Sequence, residues 1–525
     1  MVESRQRRTG TDQAMTGIKR IVIVGGGSAG WLTAGVLAAE HRGLELTLLE
    51  SPDVGPIGVG EGTWPTIRDT LRGIGVTETD FIRECDASFK QGSKFQQWVR
   101  QRADDYYFHP FVLPQGYTEA NLVAGWLARH PDVPFADLVC FQPHLCAHGK
   151  APKQVVTPEY AAVANYAYHL DAGKFGLFLR KHCVENLGVR LIVDHVIGID
   201  SSDNGDIASV QTREHGALSG DLFVDCTGMQ SLLLGQHYGV RFNSQKHVLF
   251  NDSALAVQVP YPHDDSPIAS QTISTAQSHG WIWDIGLPTR RGVGHVYSSA
   301  HTSDEAAERE LRQYIERTGG PRDLPSPRKL SFEPGYRDEF WHRNCVAIGL
   351  SAGFIEPLEA SAIALIELSA AMLRDQMPAT REAMDILARR FNDAFSYRWE
   401  RVIDFLKLHY VLSQRTDSDF WHDNRRAESI PERLREQLAL WRHLPPSRYD
   451  FHRIEEVFPS ASYQYVLYGM GFRPQPSRLP RRSDDLDRAD GFFREAAALT
   501  GRMLPALPTN RALIEHIKRH GLCRI

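Results

Sequence analysis

The sequence predicts an α/β fold built on a dinucleotide-binding domain, and three observations carry this prediction. Residues 21–24 form a short β-branched run, a glycine-rich segment (25–30) follows at once, and an Ala/Leu-rich helix comes next. Residues 44–50 then alternate as a second strand, which completes a βαβ unit. Alternating residues at 250–300 predict an inserted β-sheet for the substrate, and the charged, helical pattern after 377 predicts a C-terminal helical region.

Composition narrows the classes of function. The 525 residues are 42% hydrophobic and 23% charged with a net charge of −5, which leaves no electrostatic footprint for nucleic acid. The most apolar long stretch, 353–373, contains three glutamates, which argues against a membrane span. The seven cysteines form no C-x-x-C pair, so neither a metal site nor a disulfide framework is expected. A reducing cytoplasm fits best.

The chain divides into four predicted segments. Residues 1–17 are polar and basic and predict a disordered tail rather than a signal peptide. Residues 18–376 predict the cofactor-binding core with its inserted sheet, and 377–475 a helical region that covers the substrate site. Residues 476–525 are expected to form a linker and a short helical tail.

A nucleotide fingerprint lies between the first strand and the first helix. It reads Gly25-Gly26-Gly27-Ser28-Ala29-Gly30. Gly25 permits the tight turn, Gly27 lets the backbone approach a pyrophosphate, and Gly30 lets helix and strand pack closely. Backbone amides at the helix N-terminus, including those of Ser28 and Ala29, favour phosphate binding. Glu50 ends the second strand, where a carboxylate accepts from a ribose hydroxyl.

Two further strand-to-glycine turns favour FAD over NAD. The strand 222–228 ends at Gly228 and resembles the strand by which flavoprotein folds return to the dinucleotide domain. The segment 344–353 contains Gly349 just before a helix, where such folds hold the pyrophosphate or ribityl end of FAD. Three well-spaced glycine turns therefore indicate FAD.

A W-x-W motif identifies the family that the chain resembles. Trp281, Trp283 and Ile285 alternate along one strand, a pattern that by itself indicates core packing. Together with the glycine fingerprint it resembles the flavin-dependent tryptophan halogenase family, which combines G-x-G-x-x-G with W-x-W-x-I-P. That motif is thought to keep ordinary monooxygenase chemistry away from the flavin. Gly286 stands here in place of the proline.

Other segments extend the resemblance over roughly residues 18–475. The segment GVGEGTWP (58–65) is similar to the strap that covers the flavin in this family, and HYVLSQRTDSDFW (409–421) is similar to the helical region over the substrate site. Three more segments are family-like: 166–179, 249–260 and 354–365. Several motifs in the expected order make a chance match improbable.

The segment SFKQGSKF (88–95) contains two lysines in a region, 77–98, that is predicted to be helical. On a helix Asp86 and Lys90 would form a surface ion pair worth about 0.3–0.5 kcal/mol, and the residues alone favour that interpretation. In the halogenase family, however, an essential lysine lies in an A-S-Y-K-like segment, which Ala-Ser-Phe-Lys matches. The resemblance implies that Lys90 is catalytic, whereas Lys94 remains a surface residue.

Glu359 is the second predicted catalytic residue. Pro357 suits a first helical position, so Glu359 is expected in the first turn, where a carboxylate also complements the helix dipole without any catalysis. The family has a functional glutamate in P-L-E-S-T-G, and Glu359 matches it. The resemblance further implies that halide binds at the backbone amides of Ser361 and Ala362.

The resemblance also implies residues for the substrate. His109 and Phe111 match a family segment that lines the substrate pocket, with Phe111 stacking on an indole; from the residues alone, His109 could equally be a hydrogen-bonded core histidine. Halogenases acting on free tryptophan usually carry a Phe-Trp-Asn-rich stretch before a Tyr-Tyr pair. Here 455–465 reads EEVFPSASYQY, which retains Tyr463 but little else of a zwitterion clamp. We therefore expect indole-type substrates to be preferred over free tryptophan.

The reaction implied is a two-component halogenation. A separate flavin reductase supplies FADH2, and O2 and halide, either bromide or chloride, yield hypohalous acid that Lys90 and Glu359 direct to an electron-rich ring. Two alternatives stay open: a single-component FAD monooxygenase that hydroxylates an aromatic substrate, and a non-catalytic flavin-binding protein. A homodimer is compatible with the sequence, which leaves the oligomeric state open.

Overall fold

The computed structural model describes residues 17–53, 55, 60–453, 456–475 and 481–523. The predicted N-terminal tail apart from residue 17, the first two residues of the 58–65 strap, Glu455 and the linker residues 476–480 lie outside the described residues.

Twenty-two strands are found in the described part of the chain. They are β1 Arg20–Val24, β2 Glu45–Glu50, β3 Gly60–Gly62, β4 Ser88–Lys90, β5 Gly92–Gln96, β6 Tyr106–Pro110, β7 Ala167–Asp171, β8 Arg190–Val193, β9 Val196–Ser201, β10 Ile207–Thr212, β11 Gly216–Ser219, β12 Leu222–Asp225, β13 Phe242–Ser244, β14 Ser253–Pro260, β15 Thr272–Gln277, β16 Gly280–Gly286, β17 Arg290–Tyr297, β18 Arg328–Ser331, β19 Gly335–Arg337, β20 Trp341–His342, β21 Cys345–Ala347 and β22 Gly353–Phe354.

Fifteen α-helices occur in the same described residues. They are α1 Ser28–Glu40, α2 Ile67–Gly73, α3 Glu78–Glu84, α4 Leu122–Arg129, α5 Phe135–Val139, α6 Gln142–Ala147, α7 Ala172–Glu185, α8 Asp304–Arg317, α9 Ser361–Asp375, α10 Arg381–Val411, α11 Asp419–Asp423, α12 Glu432–Trp441, α13 Ser460–Gly469, α14 Leu486–Ala506 and α15 Asn510–His520.

The predicted βαβ unit is confirmed and forms the centre of a six-stranded sheet. Its order is β20-β21-β12-β1-β2-β8, in which every neighbouring pair except β20–β21 is parallel. Ile21 and Ile23 are fully buried, as expected for a central parallel strand covered on both faces. Helices α7 and α9 pack against α1. The parallel order directs the carboxyl ends of β1, β12 and β21 to one edge.

The predicted sheet at 250–300 is also confirmed. Strands β14, β15, β16 and β17 form antiparallel pairs within a seven-stranded sheet of order β18-β14-β17-β16-β15-β5-β6. Helix α8 closes one region of this sheet, because Leu311 and Ile315 pack with Val257 and Ile282 in one buried cluster. The sheet therefore has a hydrophobic core of its own beside the dinucleotide domain.

The prediction that 77–98 is helical is wrong beyond Glu84. Helix α3 ends there, Asp86 takes a left-handed backbone conformation (φ 45°), and β4 and β5 follow. Strand β4 pairs with β7, and β5 pairs with β6 and β15. These pairings satisfy the backbone groups of a segment that is almost wholly buried, so tertiary pairing overrides the local pattern.

The surface ion pair that a helix would place at Asp86 and Lys90 is absent as well. Asp86 instead pairs with Lys174 and Lys518, and both partners lower its pKa against the opposing effect of burial. Lys90 is 1% exposed. It lies on β4, whereas Lys94 lies on β5, above the rings of Tyr106 and Phe108.

The C-terminal part of the chain is helical and extensive. Helix α10 spans 31 residues, and α14 with α15 form a longer C-terminal unit than the short tail predicted from sequence. Helix α14 packs on α4, α5 and α6, and α15 packs on α3 and β4. Among the helices that the structure describes, none is both long and apolar enough to cross a membrane.

Candidate active site

Three glycine turns meet at one edge of the six-stranded sheet. They follow β1, β12 and β21, and contain Gly25, Gly228 and Gly349, with φ values of 115°, 70° and 79°. Ligands of open α/β sheets bind at the carboxyl ends of the strands, so this edge is the expected cofactor site. The three turns predicted from sequence are thus brought together.

The fingerprint turn has the shape that a pyrophosphate requires. A Cβ atom on Gly25 would lie 2.1 Å from the Cys226 carbonyl oxygen, and one on Gly30 would lie 1.9 Å from the Gly25 carbonyl oxygen. At Gly27, by contrast, nothing lies within 4 Å of such an atom. Helix α1 begins at Ser28, followed by Ala29, and no side chain caps its N-terminus. Its first amides can therefore approach an anion.

Glu50 ends β2 beside this turn and is half-buried. Its Oε2 accepts from Trp31 Nε1 at 3.1 Å, and its Oε1 accepts from Arg180 Nη1 at 3.0 Å. Two carboxylate oxygens can accept about four hydrogen bonds, so capacity remains for a ribose hydroxyl. The residues at this edge of the sheet fit FAD.

Lys90 is held in a closed environment at the end of β4. Its Nζ donates to the Thr63 carbonyl oxygen at 3.3 Å and lies 5.5 Å from the centre of the Phe111 ring. Burial lowers the pKa of Lys90 to about 8, although Glu359 and Glu61 act in the opposite direction. Near neutral pH this amine is thus much closer to deprotonation than an exposed lysine.

Glu359 is buried between two histidines on different elements. Its Oε1 lies 3.0 Å from Nδ1 of His109 on β6 and 3.3 Å from Nε2 of His409 on α10. Burial alone would raise the pKa of Glu359, but the two imidazoles outweigh it and lower the pKa to about 2. His409 also lies 2.5 Å from the Tyr107 hydroxyl through Nδ1. Glu359 therefore stays a fixed negative charge.

The expected position of Glu359 in the first turn of a helix is wrong. Helix α9 begins at Ser361, because Ala360 takes a left-handed conformation (φ 55°) that no α-helix continues through. Glu359 belongs to the turn before the helix. Ser361 and Ala362 open the helix and line a small cavity together with Gly349, so the predicted halide and cofactor residues are neighbours.

Gly62 shows how close the two predicted catalytic segments are. A Cβ atom placed there would lie 3.2 Å from Lys90 Nζ and 3.3 Å from the Cβ of Ala360. Gly62 belongs to β3 in the strap segment. Two residues later, the Trp64 indole donates to the Glu359 carbonyl oxygen at 2.7 Å. The strap therefore holds the Glu359 turn against the lysine.

Aromatic rings enclose the space beside Lys90 and Glu359. Phe458 lies 4.9 Å from Trp64 and 3.8 Å from Phe405, measured between ring centres. Tyr463 contacts the Phe405 ring at 4.9 Å, whereas Phe111 lies beside the lysine itself. His109 Nε2 reaches Ser462 Oγ at 2.8 Å. The wall is suited to a flat aromatic ring.

The W-x-W strand is joined to the Glu359 turn by a second glutamate. Trp281 Nε1 donates to Glu356 Oε2 at 2.7 Å, and the same oxygen accepts from Tyr410 at 2.7 Å and from Asn251 at 2.6 Å. Burial raises the pKa of Glu356. Helix α10 thus contacts both carboxylates of the turn, with Tyr410 at Glu356 and the preceding histidine at Glu359.

The other motif residues of β16 pack rather than point to the lysine. Trp283 covers Gly294 of β17, where a Cβ atom would lie 2.2 Å from the indole. The Cδ1 atom of Ile285 would lie 2.5 Å from a Cβ at Gly60, so Ile285 contacts the strap. Gly286, in the position of the family proline, accepts from Ser88 Oγ at 2.5 Å and ties β16 to the lysine strand.

Sequence reasoning missed Glu356, His409 and Trp64. Each belongs to a segment that had been recognised as family-like, but none had been singled out. The sequence contains a signal for His409: residues 402–410 are apolar or aromatic except for Asp404, Lys407 and the histidine itself. Charged residues are almost never fully buried unless they are paired, so such a stretch marks a buried polar site.

Comparison with known proteins agrees with this geometry. The family model described as tryptophan halogenase matches residues 20–484. The tryptophan 6-halogenase SttH of Streptomyces toxytricini is 35% identical over 87% of this chain and 91% of its own. A tryptophan halogenase structure from Shewanella frigidimarina is 50% identical, with a TM-score of 0.94 over 97% of this chain and 99% of its own.

A further similar structure is that of a flavin-dependent halogenase. BrvH, a flavin-dependent halogenase from Brevundimonas, is 34% identical and has a TM-score of 0.83, covering 95% of this chain and 99% of its own. The matches span nearly the whole length on both sides, and the turns that fit FAD lie within them. The chain belongs to the tryptophan halogenase family and is an enzyme of the flavin-dependent halogenase class.

Proposed function

We propose that this enzyme uses FADH2, O2 and a halide ion to form hypohalous acid, and that it halogenates an electron-rich indole-type ring through Lys90 and Glu359. The observation that carries the proposal is that the buried amine of Lys90 and the turn of the buried Glu359 both lie against Gly62 of the strap, and burial lowers the pKa of this amine to about 8. When bound, the reduced flavin would activate O2, and O2 is the oxidant of the halide. The protein supplies confinement and position.

Lys90 is the proposed partner of the hypohalous acid. As an ammonium it hydrogen-bonds and polarises the acid, and as a neutral amine it can form a haloamine. Burial lowers the pKa of Lys90 to about 8, so both its ammonium and its amine form are accessible near neutral pH. The buried side chain is also shielded from bulk water. The ring of Phe111 lies beside the amine and would stack on the substrate.

Glu359 is the proposed partner of the ring. Halogen addition makes the ring cationic, and a fixed carboxylate stabilises that charge and helps to remove the ring proton. His109 and His409 both lie against Oε1 of the Glu359 carboxylate, and these contacts fix the orientation of the carboxylate. Ser361 and Ala362, at the N-terminus of α9 and next to Gly349, are the proposed halide site.

The contacts of 456–464 support a substrate other than free tryptophan. Gln464, in place of the second family tyrosine, donates to the Pro446 carbonyl oxygen at 2.9 Å, so this side chain is engaged with the protein. Glu456 accepts from the Tyr397 hydroxyl through Oε1, whereas its buried Oε2 accepts from no group among the described residues. A zwitterion would need partners for both charges. Equimolar indole and tryptophan should compete in one assay with FAD, NADH, an unrelated flavin reductase and either bromide or chloride.

The assay reads halogenated product by its isotope pattern in mass spectrometry. We expect mainly halogenated indole, with bromide accepted at least as well as chloride. A clear preference for tryptophan would mean that an amino-acid clamp exists. Omitting the reductase should abolish turnover, because the proposed supply of FADH2 is external. Rapid NADH oxidation by the pure protein with FAD, or an oxygenated product instead of a halogenated one, would contradict the proposal.

A further inference from the structure

The C-terminal helix α15 contacts the backbone of the strand that contains the predicted catalytic lysine. Asn510, its first residue, is fully buried, and its Nδ2 donates to the Phe89 carbonyl oxygen at 3.0 Å and to the Ala269 carbonyl oxygen at 3.2 Å. Phe89 directly precedes Lys90 on β4. One side-chain amide therefore joins the lysine strand to the segment that leads into β15.

The residue after the lysine is held through the same C-terminal segment. Gln91 donates from its side chain to the Lys150 carbonyl oxygen at 2.7 Å and from its backbone to the Ser270 carbonyl oxygen at 2.7 Å. Lys150 in turn forms a β-bridge with Thr509, and the Asn510 backbone amide donates to Gly149 at 2.8 Å. Both neighbours of Lys90 thus depend on residues 509–510 or their immediate partners.

The helix also fixes the end of the W-x-W strand and the start of the lysine segment. Arg511 donates to the Pro288 carbonyl oxygen at 2.8 Å and to the Ser266 carbonyl oxygen at 2.8 Å. Lys518 pairs with Asp86 at 3.0 Å, where helix α3 gives way to β4. Helix α15 therefore contacts the lysine segment both at Asp86, where it begins, and at Phe89, directly before Lys90.

Besides these contacts, strand β4 is held by its pairing with β7 and by the hydrogen bond from Ser88 to Gly286. It is three residues long and is hydrogen-bonded as a strand to β7 alone. Burial excludes water as a substitute donor for the Phe89 carbonyl oxygen, since an unpaired buried carbonyl is costly. We propose that Asn510 is a positioning residue for the proposed halogenation, and that α15 holds Lys90 in place through it.

This inference rests on the proposed function of Lys90, so the test has one readout that depends on that function and one that does not. Asn510→Leu keeps the branching and approximate size of the side chain but removes the donor. Arg519→Ala, on an exposed part of the same helix where the arginine pairs with Glu515, is the matched control. Hydrogen exchange of the peptide covering 86–96, without flavin, is the first readout.

We expect exchange in 86–96 to become at least tenfold faster in Asn510→Leu and to be unchanged in Arg519→Ala. The second readout is halogenated product per FADH2 oxidised, which should fall about tenfold, while peroxide release keeps the wild-type rate of FADH2 oxidation. A mere loss of folded protein would lower both rates together. If Asn510→Leu does not fold, Asn510→Ala is tested in the same way.

Unchanged exchange in 86–96 would overturn the proposal, and so would faster exchange with an unchanged product ratio. Failure of the proposed function is recognised separately, because the wild-type protein would then give no halogenated product although the exchange readout would still report whether Asn510 holds β4.

Discussion

Replacing Lys90 by methionine should make the protein more stable at neutral pH while abolishing halogenation. The side chain is 1% exposed, and burial lowers its pKa from 10.5 to about 8. The charged form therefore costs stability in the folded state, even after the favourable effects of Glu359 and Glu61 are included. Methionine fills a similar volume without a charge.

The lowered pKa sets the expected magnitude. A change from 10.5 to about 8 corresponds to about 3 kcal/mol at about 1.4 kcal/mol per tenfold change in the acid constant. Because the unfolded chain binds this proton more tightly, the cost is complete below pH 8 and disappears as the pH rises from 8 to 10.5. The advantage of Lys90→Met should follow the same course.

Denaturant unfolding of the flavin-free proteins at a series of pH values measures this difference. Lys90→Met should exceed the wild type by up to about 3 kcal/mol at pH 7, and the difference should shrink steadily above pH 8. Lys181→Met, at an exposed position on α7, is the control and should show no comparable trend. A variant that is less stable at pH 7, or a difference that does not depend on pH, would refute the argument that burial perturbs this amine.

Three other substitutions test the surrounding contacts. Glu359→Gln keeps an acceptor for His109 but removes the negative charge. The rate of halogenation should therefore fall about 10²–10³-fold, while the rate of FADH2 oxidation stays unchanged. A variant with a tenth of wild-type activity would argue that the charge has no role. Lys94→Ala should retain most activity, because Lys94 lies over aromatic rings on the neighbouring strand; a dead variant would reassign the lysine. Glu356→Leu removes the acceptor of the buried Trp281 indole and of the Tyr410 hydroxyl, while Asn251 keeps its hydrogen bond to Tyr410. It should cost about 3 kcal/mol in thermal unfolding, and a loss below about 1 kcal/mol would mean that this carboxylate does not hold the turn.

The parts of the fold that sequence predicted are those with local signals. The βαβ unit and the glycine turns follow from hydrophobic alternation and from backbone positions that only glycine tolerates, such as Gly25 and Gly30. The sheet at 250–300 follows from long alternating strands. Each strand, helix or turn in these patterns carries its signal within its own length, so it can be predicted without knowledge of its distant partners.

The segment 86–96 shows where this reasoning fails. Strand β4 has three residues, too few for a period of two to be distinguished from a helical one, and its partner β7 begins some eighty residues later. No local feature of the sequence distinguishes Lys90 from Lys94. Only the resemblance to the halogenase family selected it, and only the pairing of β4 explains why it is buried.

The site as a whole could not be read from any single stretch, because its electrostatics depend on packing between distant segments. The pKa of Lys90 is low because β3, β7 and the Glu359 turn exclude water from it, while α15 fastens its strand. A variant that loosens one of these contacts should readmit water and move the pKa of Lys90 back towards 10.5 while the protein stays folded. Halogenation should therefore be lost at smaller perturbations than the fold. We therefore expect the contacts of Asn510 and Glu356 to matter to the proposed reaction as much as Lys90 and Glu359 do.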